Sequence, residues 1–530
     1  INKMSPWNYV NADRIQLGKK NQQYWNILGV SVLDYFDLYK KFTYVRQESY
    51  RLNYIAKVEL GESKLDNPYE TFKDFYTKDY QKFVEYNIQD VELVDKLEDK
   101  MKLIELCLTM AYEAKVNYTD VYSQVRCWDT IIYNHLLKKN IIIPPREDHD
   151  KDTQYEGAYV KDPQLGLHNW IVSFDLNSLY PHLIMQYNLS PETLVGVQPK
   201  NMGVENYLNE KFNLQWAKDK NVTVAPNGSM YRRDKQGFLP ELMEKMYGDR
   251  VVFKKKTIEA KKEFQKTKDP IYKNEISRCN NIQMAKKIAL NSAYGAIGNQ
   301  YFRYFDVRIA EAITLGGQLS IRWVERDVNK FMNKLLNTDN VNYVVASDTD
   351  SIYLKLDKLV EKVCKDKSPQ QITDFINKAA EDKIQKVIDD SFNNLAKYVN
   401  AYQQKMIMKR EAIANKAIWV AKKRYMMNVF DEEGIRFDIP KLKIMGVEAV
   451  KSSTPEVCRG KIKDAIRVIM NDSEDALIKF VADFKEVFKT LSPEEVAFPR
   501  SCNYIDKYVD PNSIYKKGTP IHVKGALVYN

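Results

Sequence analysis

The sequence has few cysteines, and none is placed in a metal-binding pattern. There is no CxxC pair and no histidine beside a thiol. The six positions in 530 residues are Cys107, Cys127, Cys279, Cys364, Cys458 and Cys502. This scatter argues against a zinc site and suits a reducing compartment.

Long apolar runs are absent as well. No run approaches the roughly 20 residues that span a bilayer, so we expect no membrane partner. The chain begins at Ile1, with neither an initiator methionine nor a signal-peptide pattern, and we expect an upstream segment to be missing. Internal repeats and low-complexity segments are also lacking.

Basic residues are in modest excess. The chain has 81 Lys and Arg against 71 Asp and Glu, a net charge of +10. They cluster in "FKKKTIEAKKEFQKTK" (253–268) and "AKKRY" (421–425). Such runs fit a nucleic-acid partner. Taken alone, however, they favour the alternative, a helix face exposed to solvent.

The length allows several domains that mix helices and strands. The Pro144-Pro145 pair marks a boundary, and apolar spacing predicts one or two long helices over 79–115. Residues 236–267 and 271–298 each read as a long helix broken only at Asp269-Pro270, which predicts a projecting hairpin arm about 45 Å long. Helices are expected over 357–402 and from 456 to about 490. Strands are expected in a segment centred on 169–185, from 341 and over 417–450.

Two aspartates stand one residue apart in "VVASDTDSIYLKL" (344–356). Alternation on a strand would aim Asp348 and Asp350 the same way, and the turn formers around them predict a β-hairpin with both carboxylates at its tip. Paired acids suit Mg²⁺, whereas the alternative is an ordinary solvated turn.

A third carboxylate, Asp175, closes the apolar strand in "IVSFDLNSLYPHLI". Facing the hairpin, it would complete a site for two divalent ions, one activating an attacking oxygen and one steadying a leaving group. An Asp at a strand end is more often a helix cap, which is the alternative.

The arm carries a row of polar residues. Lys287, Asn291 and Tyr294 fall at i, i+4 and i+7 on one helix face, and Arg250 and Lys254 are i and i+4 on the other helix. Cations along one side of an arm would clamp a polyphosphate. For the second pair alone, surface solvation is favoured.

Three strings in order, "DLNSLYP" (175–181), "KIALNSAYG" (287–295) and "DTDS" (348–351), resemble motifs A, B and C of family-B DNA polymerases, most nearly the T-even phage replicative type. The implied fold class is α/β (mixed α+β) and multidomain: a right hand with an antiparallel-sheet palm, two-helix fingers, a partial helical thumb and the end of an RNase H-like exonuclease domain. The implied division is 1–102 exonuclease part, 103–146 linker and N-terminal-domain segment, 147–234 palm, 235–300 fingers, 301–440 palm and 441–530 thumb.

The resemblance implies a role for each matched residue. The catalytic acids would be Asp175, Asp348 and Asp350, with two Mg²⁺ ions (Mn²⁺ as the alternative) held by Asp175, Asp350 and the carbonyl of Leu176. The incoming dNTP would meet Ser178, Leu179, Tyr180, Arg250, Lys254, Lys287 and Asn291, with Tyr180 excluding a 2′-OH. Primer-template DNA would meet Tyr155, Tyr294, Gly295, Lys422, Lys423, Arg424, Tyr425 and Lys443.

The match has departures. Ala346-Ser347 precedes the hairpin acids where the family has Tyr-Gly, and His182 stands where a smaller residue is common. Lys409 replaces an acid of T-even relatives, which leaves Glu411 as the carboxylate expected near the site from that segment. None of these removes a metal ligand.

"YNIQD" (86–90) resembles the third exonuclease motif, in which Asp90 would bind metal and Tyr86 would orient water. The motifs that bring the other carboxylates are absent, so we expect little proofreading from this chain. A surface helix with a stray Asp is the alternative. At the other end, "HVKG" (522–525) lies within the family's thumb, which predicts a missing stretch and low processivity.

The sequence therefore predicts a DNA-directed DNA polymerase of phage replication in the host cytoplasm. A sliding clamp or a complementary polymerase fragment would be further partners. The alternative is an inactive primer-template-binding fragment that needs such a partner, and a nuclease would need the missing carboxylates.

Overall fold

The computed structural model describes residues 2–17, 20–43, 45–147, 154–198, 202–498, 500, 502 and 505–529. It confirms a mixed fold of many helices and antiparallel sheets. No described helix is both long and apolar enough to cross a bilayer. None of the six cysteines is in a disulfide.

A hairpin and a group of helices form the first part of the chain. Its elements are β1 (Val10–Leu17), β2 (Lys20–Ile27), α1 (Tyr35–Phe42), α2 (Leu52–Leu60), α3 (Phe72–Lys78), α4 (Tyr80–Met101), α5 (Leu103–Ala114) and α6 (Gln124–Leu137). Of the one or two long helices expected over 79–115, the structure has two, and Lys102 adopts a left-handed backbone with φ 56° between them. A cluster around Leu38, Ile55 and Leu97 is the core of this part.

A six-stranded antiparallel sheet carries the predicted site. Its strands are β3 (Gly166–Leu176), β7 (Val344–Asp348), β8 (Ser351–Lys355), β9 (Met408–Ala421), β10 (Arg424–Glu432) and β11 (Ile435–Met445), in the order β11-β10-β9-β3-β8-β7. Segments far apart in the chain are therefore neighbours here. β11 runs on to Met445, past the expected palm boundary at 440.

Alternate residues of β3 serve different faces of this sheet. Val172 and Phe174 enter the largest core, whereas Ile171 joins a second cluster on the opposite face. Asp175 shares parity with Ile171. The strand thus anchors itself on one face and presents its carboxylate on the other.

The remaining elements before the arm form a small sheet and short helices behind the large sheet. They are α7 (Leu179–Tyr187), β4 (Leu194–Val197), α8 (Val204–Leu208), α9 (Gln215–Asp219), β5 (Val222–Val224) and β6 (Ser229–Arg232). Pro181 lies in the first turn of α7, where its missing N–H costs nothing.

The predicted arm is two long helices, α10 (Phe238–Thr267) and α11 (Ile271–Ile297), which confirms the break at Asp269-Pro270. We expected so charged a hairpin to project freely, but it does not. α11 packs on α5 and α6, and it buries Ala285, Leu290 and Ala293. The spacing of side chains along α11 predicted its polar face, but it did not predict that the opposite face packs on α5 and α6.

Helices complete the chain. They are α12 (Val307–Leu336), α13 (Asp357–Val363), α14 (Pro369–Ala379), α15 (Gln385–Tyr398), α16 (Glu456–Asn471), α17 (Glu474–Phe488), α18 (Pro493–Val496) and α19 (Ile521–Tyr529). The sequence made no assignment for α12, although Asp306 caps its first turn by accepting from the Arg308 amide at 2.9 Å.

Candidate active site

The two hairpin aspartates lie at a tight turn, as predicted, but not both on a strand. Asp348 ends β7 and pairs with Ser351 at the start of β8, so Thr349 and Asp350 form a two-residue turn. Thr349 has φ 59°, and its amide donates to the Tyr159 carbonyl at 3.0 Å. The turn, rather than strand alternation, therefore brings the two carboxylates to one side.

Asp175 is brought to this turn by the sheet. It pairs with Ser351 across β3 and β8, and the amide of the next residue, Leu176, donates to the Asp350 carbonyl at 2.8 Å. Asp175, Asp348 and Asp350 line one cleft of about 340 Å³. The structure thus brings together the three acids that the sequence selected.

The partly buried acids Asp175 and Asp350 resist ionisation. Burial, followed by repulsion from Asp350 and Glu411, raises the pKa of Asp175 to about 7. Burial also raises the pKa of Asp350 to about 6, and Asp348 and Glu411 add to it. A cation bound in this cleft would lower both pKa values, because it would stabilise the ionised form of each carboxyl.

Asp175 and Asp350 could supply only part of the coordination shell of a divalent metal ion. Within the described residues, no three carboxylate, imidazole or thiolate groups are already gathered as a metal cluster. Mg²⁺ commonly takes one or two carboxylates and completes its shell with substrate phosphates and water. Asp175 and Asp350 meet that requirement.

Glu411 lines the same cleft from β9, as the sequence suggested. Its carboxylate accepts from the Ser173 hydroxyl at 3.1 Å and from the Lys443 ammonium at 2.7 Å. Ser173 is completely buried, and its oxygen also accepts from the Ala412 amide at 3.0 Å. Sequence reasoning missed Ser173, because a serine in a strand gives no local signal.

Lys409 is the exposed neighbour of this group. Its Cα is paired with that of Asp175 across β3 and β9, so both side chains leave the same face of the sheet. The departure noted in the sequence therefore lies beside the predicted metal ligand.

Arg250 reaches the site from the arm. Its Nη1 donates to the Ser178 hydroxyl at 3.3 Å, while its Nε is buried with no hydrogen-bond partner. Burial lowers the pKa of this guanidinium. An anion placed here would therefore meet a desolvated cation with a free donor.

The contacts of His182 explain how the structure accommodates this larger residue after "SLYP". Its Nδ1 is 3.0 Å from the Ser178 carbonyl, and its ring packs edge-on against Tyr247 of α10 at 4.5 Å. This departure from the family pattern is thus a contact between α7 and the arm.

Three tyrosines meet beside the arm. The Tyr180 and Tyr294 rings are 4.7 Å apart, and the Tyr294 hydroxyl is 3.3 Å from that of Tyr155. Gly298 leaves room for the Tyr155 hydroxyl, because a Cβ there would lie 2.8 Å from it. A Cβ on Gly295 would lie 2.8 Å from Oε1 of Gln124.

The other nucleotide-site residues of the prediction lie further out. Lys254 and Asn291 are exposed, and Lys287 is partly buried on α11. Leu179 is buried in the core of the large sheet, so only its backbone can face a ligand. In the described part of the chain, none of the three polar residues makes a hydrogen bond to the sheet.

The predicted DNA-binding cations are paired with carboxylates. The pairs are Lys422 with Asp162 at 2.9 Å, Lys423 with Asp348 at 3.1 Å, Arg424 with Glu448 at 2.5 Å and Lys443 with Glu411 at 2.7 Å. Tyr425 is buried against Trp419 and Tyr353, and its hydroxyl is 2.8 Å from that of Tyr353. Tyr425 also lines the cleft that holds the three aspartates.

The predicted exonuclease residues sit together on α4, far along the chain from the aspartate cleft. Asp90 forms an ion pair with Lys64 at 2.6 Å, and the Lys64 ammonium lies 4.6 Å from the centre of the Tyr86 ring. The second oxygen of Asp90 is buried with no hydrogen-bond partner.

The chain is similar to known polymerases. The profile described as DNA polymerase family B matches residues 116–509. The DNA-directed DNA polymerase of Escherichia phage RB69 is 34% identical over 95% of this chain and 61% of its own length, and that of Enterobacteria phage T4 is 33% identical over 100% and 64%. DNA polymerase 1 of Pyrococcus abyssi is 25% identical over 79% of this chain and 46% of its own length. The chain thus spans less than two thirds of the length of these relatives.

Proposed function

Because the chain belongs to DNA polymerase family B, we propose that it adds deoxynucleotides to a primer 3′-OH on a DNA template. The observation that carries the proposal is that Asp175, Asp348 and Asp350 line one cleft. The phage relatives that match over nearly the whole chain are named for this activity.

In the proposed reaction, Asp175, Asp350 and the Leu176 carbonyl would hold two divalent ions, which would supply charge neutralisation and a lower pKa for the attacking hydroxyl. Mg²⁺ is the proposed metal, with Mn²⁺ as the alternative. Arg250 offers its unpaired donor to the triphosphate, aided by Lys254, Lys287 and Asn291. The protein's part is mainly positioning and charge complementarity.

Tyr180 is proposed to select the sugar. Its ring is held by Tyr294, so a 2′-OH would meet a side chain that has little room to move. A Tyr180→Ala variant should incorporate ribonucleotides more readily than the unmodified chain, whereas equal discrimination in both would remove Tyr180 from this role.

The cations of the 422–425 segment and Lys443 are proposed to grip the primer-template backbone. Asp162, the partner of Lys422, is 89% exposed and Glu448, the partner of Arg424, is 42% exposed, so phosphates can replace these two carboxylates at small cost. Such contacts position DNA without reading its sequence. Affinity for the duplex should therefore fall with rising salt.

The division into exonuclease part (1–102), linker (103–146), palm (147–234 and 301–440), fingers (235–300) and thumb (441–530) remains our proposal. So does weak proofreading by this chain, since Lys64 already neutralises Asp90. Phage replication in the host cytoplasm is proposed from the phage relatives. A clamp or complementary fragment as partner stays a prediction from the sequence resemblance.

The test is primer extension with Mg²⁺ and dNTPs on a short primer-template. We expect extension by the unmodified chain and by a control Asp366→Asn, which changes an exposed aspartate outside the cleft. Asp350→Asn should abolish it while leaving duplex binding intact. Salt-sensitive duplex binding without extension in any variant would instead identify an inactive primer-template-binding fragment.

A further inference from the structure

A cavity at the base of the arm has no part in the proposed reaction. It lies between the arm helices α10 and α11 and the two helices α5 and α6, and its volume is about 220 Å³. Apolar side chains form much of its wall, among them Met110, Val121, Trp128, Ile131, Leu242 and Ile288. We call it the arm-base cavity.

Lysines dominate the charge around the arm-base cavity. Five lysines line it, Lys41, Lys115, Lys138, Lys245 and Lys286, against two carboxylates, Glu113 and Asp249. Both carboxylates are already paired with the buried Lys286, at 2.6 and 3.2 Å. The other four lysines are exposed and make no ion pair within the described residues, so the opening of the cavity is positively charged.

The interior offers few polar contacts. The Trp128 indole N–H already donates to the Ala289 carbonyl at 3.1 Å and to the Ser292 hydroxyl at 3.2 Å, and the Asn134 amide donates to the Thr130 carbonyl at 2.8 Å. His135 also lines the cavity, and its Nε2 is buried with no hydrogen-bond partner. A purine base has several polar atoms, so most of them would be buried against this wall without replacement partners, which is costly. A hydrocarbon ring would not.

The volume of the cavity limits the size of the ligand. An apolar cavity of about 150 Å³ is enough to bind benzene. The arm-base cavity is larger by roughly half, which suits two fused rings.

We propose that the arm-base cavity binds a small hydrophobic aromatic anion, with two fused rings between the four helices and the acidic group among the exposed lysines. The ligand would tie α11 to α5 and α6, and thus hold the arm at its base. Binding itself does not depend on the proposed polymerase activity.

The probe is naphthalene-2-sulfonate, titrated into the full chain by calorimetry beside the neutral 2-naphthol and adenosine monophosphate. We expect one saturable site for the sulfonate and weaker binding of the other two. Absence of a saturable site, or tighter binding of the nucleotide, would overturn the proposal.

Two matched pairs of variants locate the site. Ala114→Leu adds volume inside the cavity, whereas Ala111→Leu overpacks the same helix outside it. The first should weaken sulfonate binding by about tenfold or more, and the second should leave it unchanged. Equal affinity in both variants would refute this location.

The second pair tests the charge without disturbing the core. Lys138 lines the cavity, whereas its neighbour Lys139 pairs with Glu241 and does not line it. Lys138→Gln should weaken the sulfonate about two- to fivefold and leave 2-naphthol unaffected, and Lys139→Gln should change neither. A loss of both ligands in Lys138→Gln would contradict the assigned place of the anion.

A separate measurement tests how ligand binding in the arm-base cavity affects primer extension. Only this measurement rests on the proposed function. With primer extension established, saturating naphthalene-2-sulfonate should slow it without raising the dNTP concentration needed for half-maximal rate. Competition with dNTP would place the probe in the aspartate cleft and overturn the assignment.

Discussion

Asp129 joins three segments that are distant in sequence, and its removal should loosen the base of the arm. Its carboxylate on α6 accepts from Arg303 Nε at 2.8 Å and from Arg146 at 2.8 Å. Arg303 lies in the loop after α11, and Arg146 follows the Pro144-Pro145 pair. One side chain thus holds the boundary segment and the end of the arm against α6.

The cost of Asp129→Asn follows from exposure. The Arg303 side chain is 14% exposed and would be left without its charge partner, which costs about 3 kcal/mol for a nearly buried cation. Arg146 is 56% exposed, so its pair adds less than about 1 kcal/mol. Arg303→Met should therefore destabilise far more than the control Arg146→Met.

Native-state amide hydrogen exchange is the right assay, because a chain with several cores has no single unfolding free energy. A loss of about 3 kcal/mol should speed exchange in α6 and in the loop around 299–306 by roughly a hundredfold. Exchange in α6 within about threefold of the unmodified chain would refute the estimate.

The same pair has a pH signature. Burial alone would raise the pKa of Asp129, but the bonds from Arg303 and Arg146 outweigh it and leave the pKa below its ordinary value. A lowered native pKa stabilises the fold above the unfolded value near 3.9, and that stabilisation is lost as pH falls through the native value. The difference between the unmodified chain and Asp129→Asn should persist at neutral pH and close only in strong acid.

Three further outcomes are expected. Asp431→Asn should speed native-state amide hydrogen exchange in β9 and β10 by roughly a hundredfold, a loss of about 3 kcal/mol, because the nearly buried Arg410 loses its partner; exchange within about fivefold of the unmodified chain would contradict this. Gly298→Ala should lower the affinity for dNTP in a binding titration by displacing the Tyr155 hydroxyl, with overall stability nearly unchanged, and unaltered affinity would show that the ring can move aside. Lys409→Glu, which adds an acid beside Asp175, a proposed metal ligand, should lower the Mg²⁺ concentration for half-maximal extension about threefold, whereas a rise would contradict a place for this side chain beside the proposed metals.

Local patterns predicted the elements that carry chemistry. The Asp269-Pro270 break, the turn formers at 348–351 and the apolar strand before Asp175 each depend on a few adjacent residues, and the structure has the elements they predict. Helix α12 escaped assignment even though its cap at Asp306 was visible in the sequence. The role of each site residue stays a prediction, since geometry alone does not test it.

Other features depended on chain segments that no local pattern connects. The burial of α11 by α5 and α6, the support of Glu411 by Ser173 and the pairing of Lys423 with Asp348 each join residues from distant parts of the chain. By itself the sequence determined which residues carry charge, where strands and helices turn, and the order of three short motifs. Only the tertiary structure decided which carboxylates share a cleft and which cations are already paired, because charge interactions depend on distance and burial, and both are set by packing.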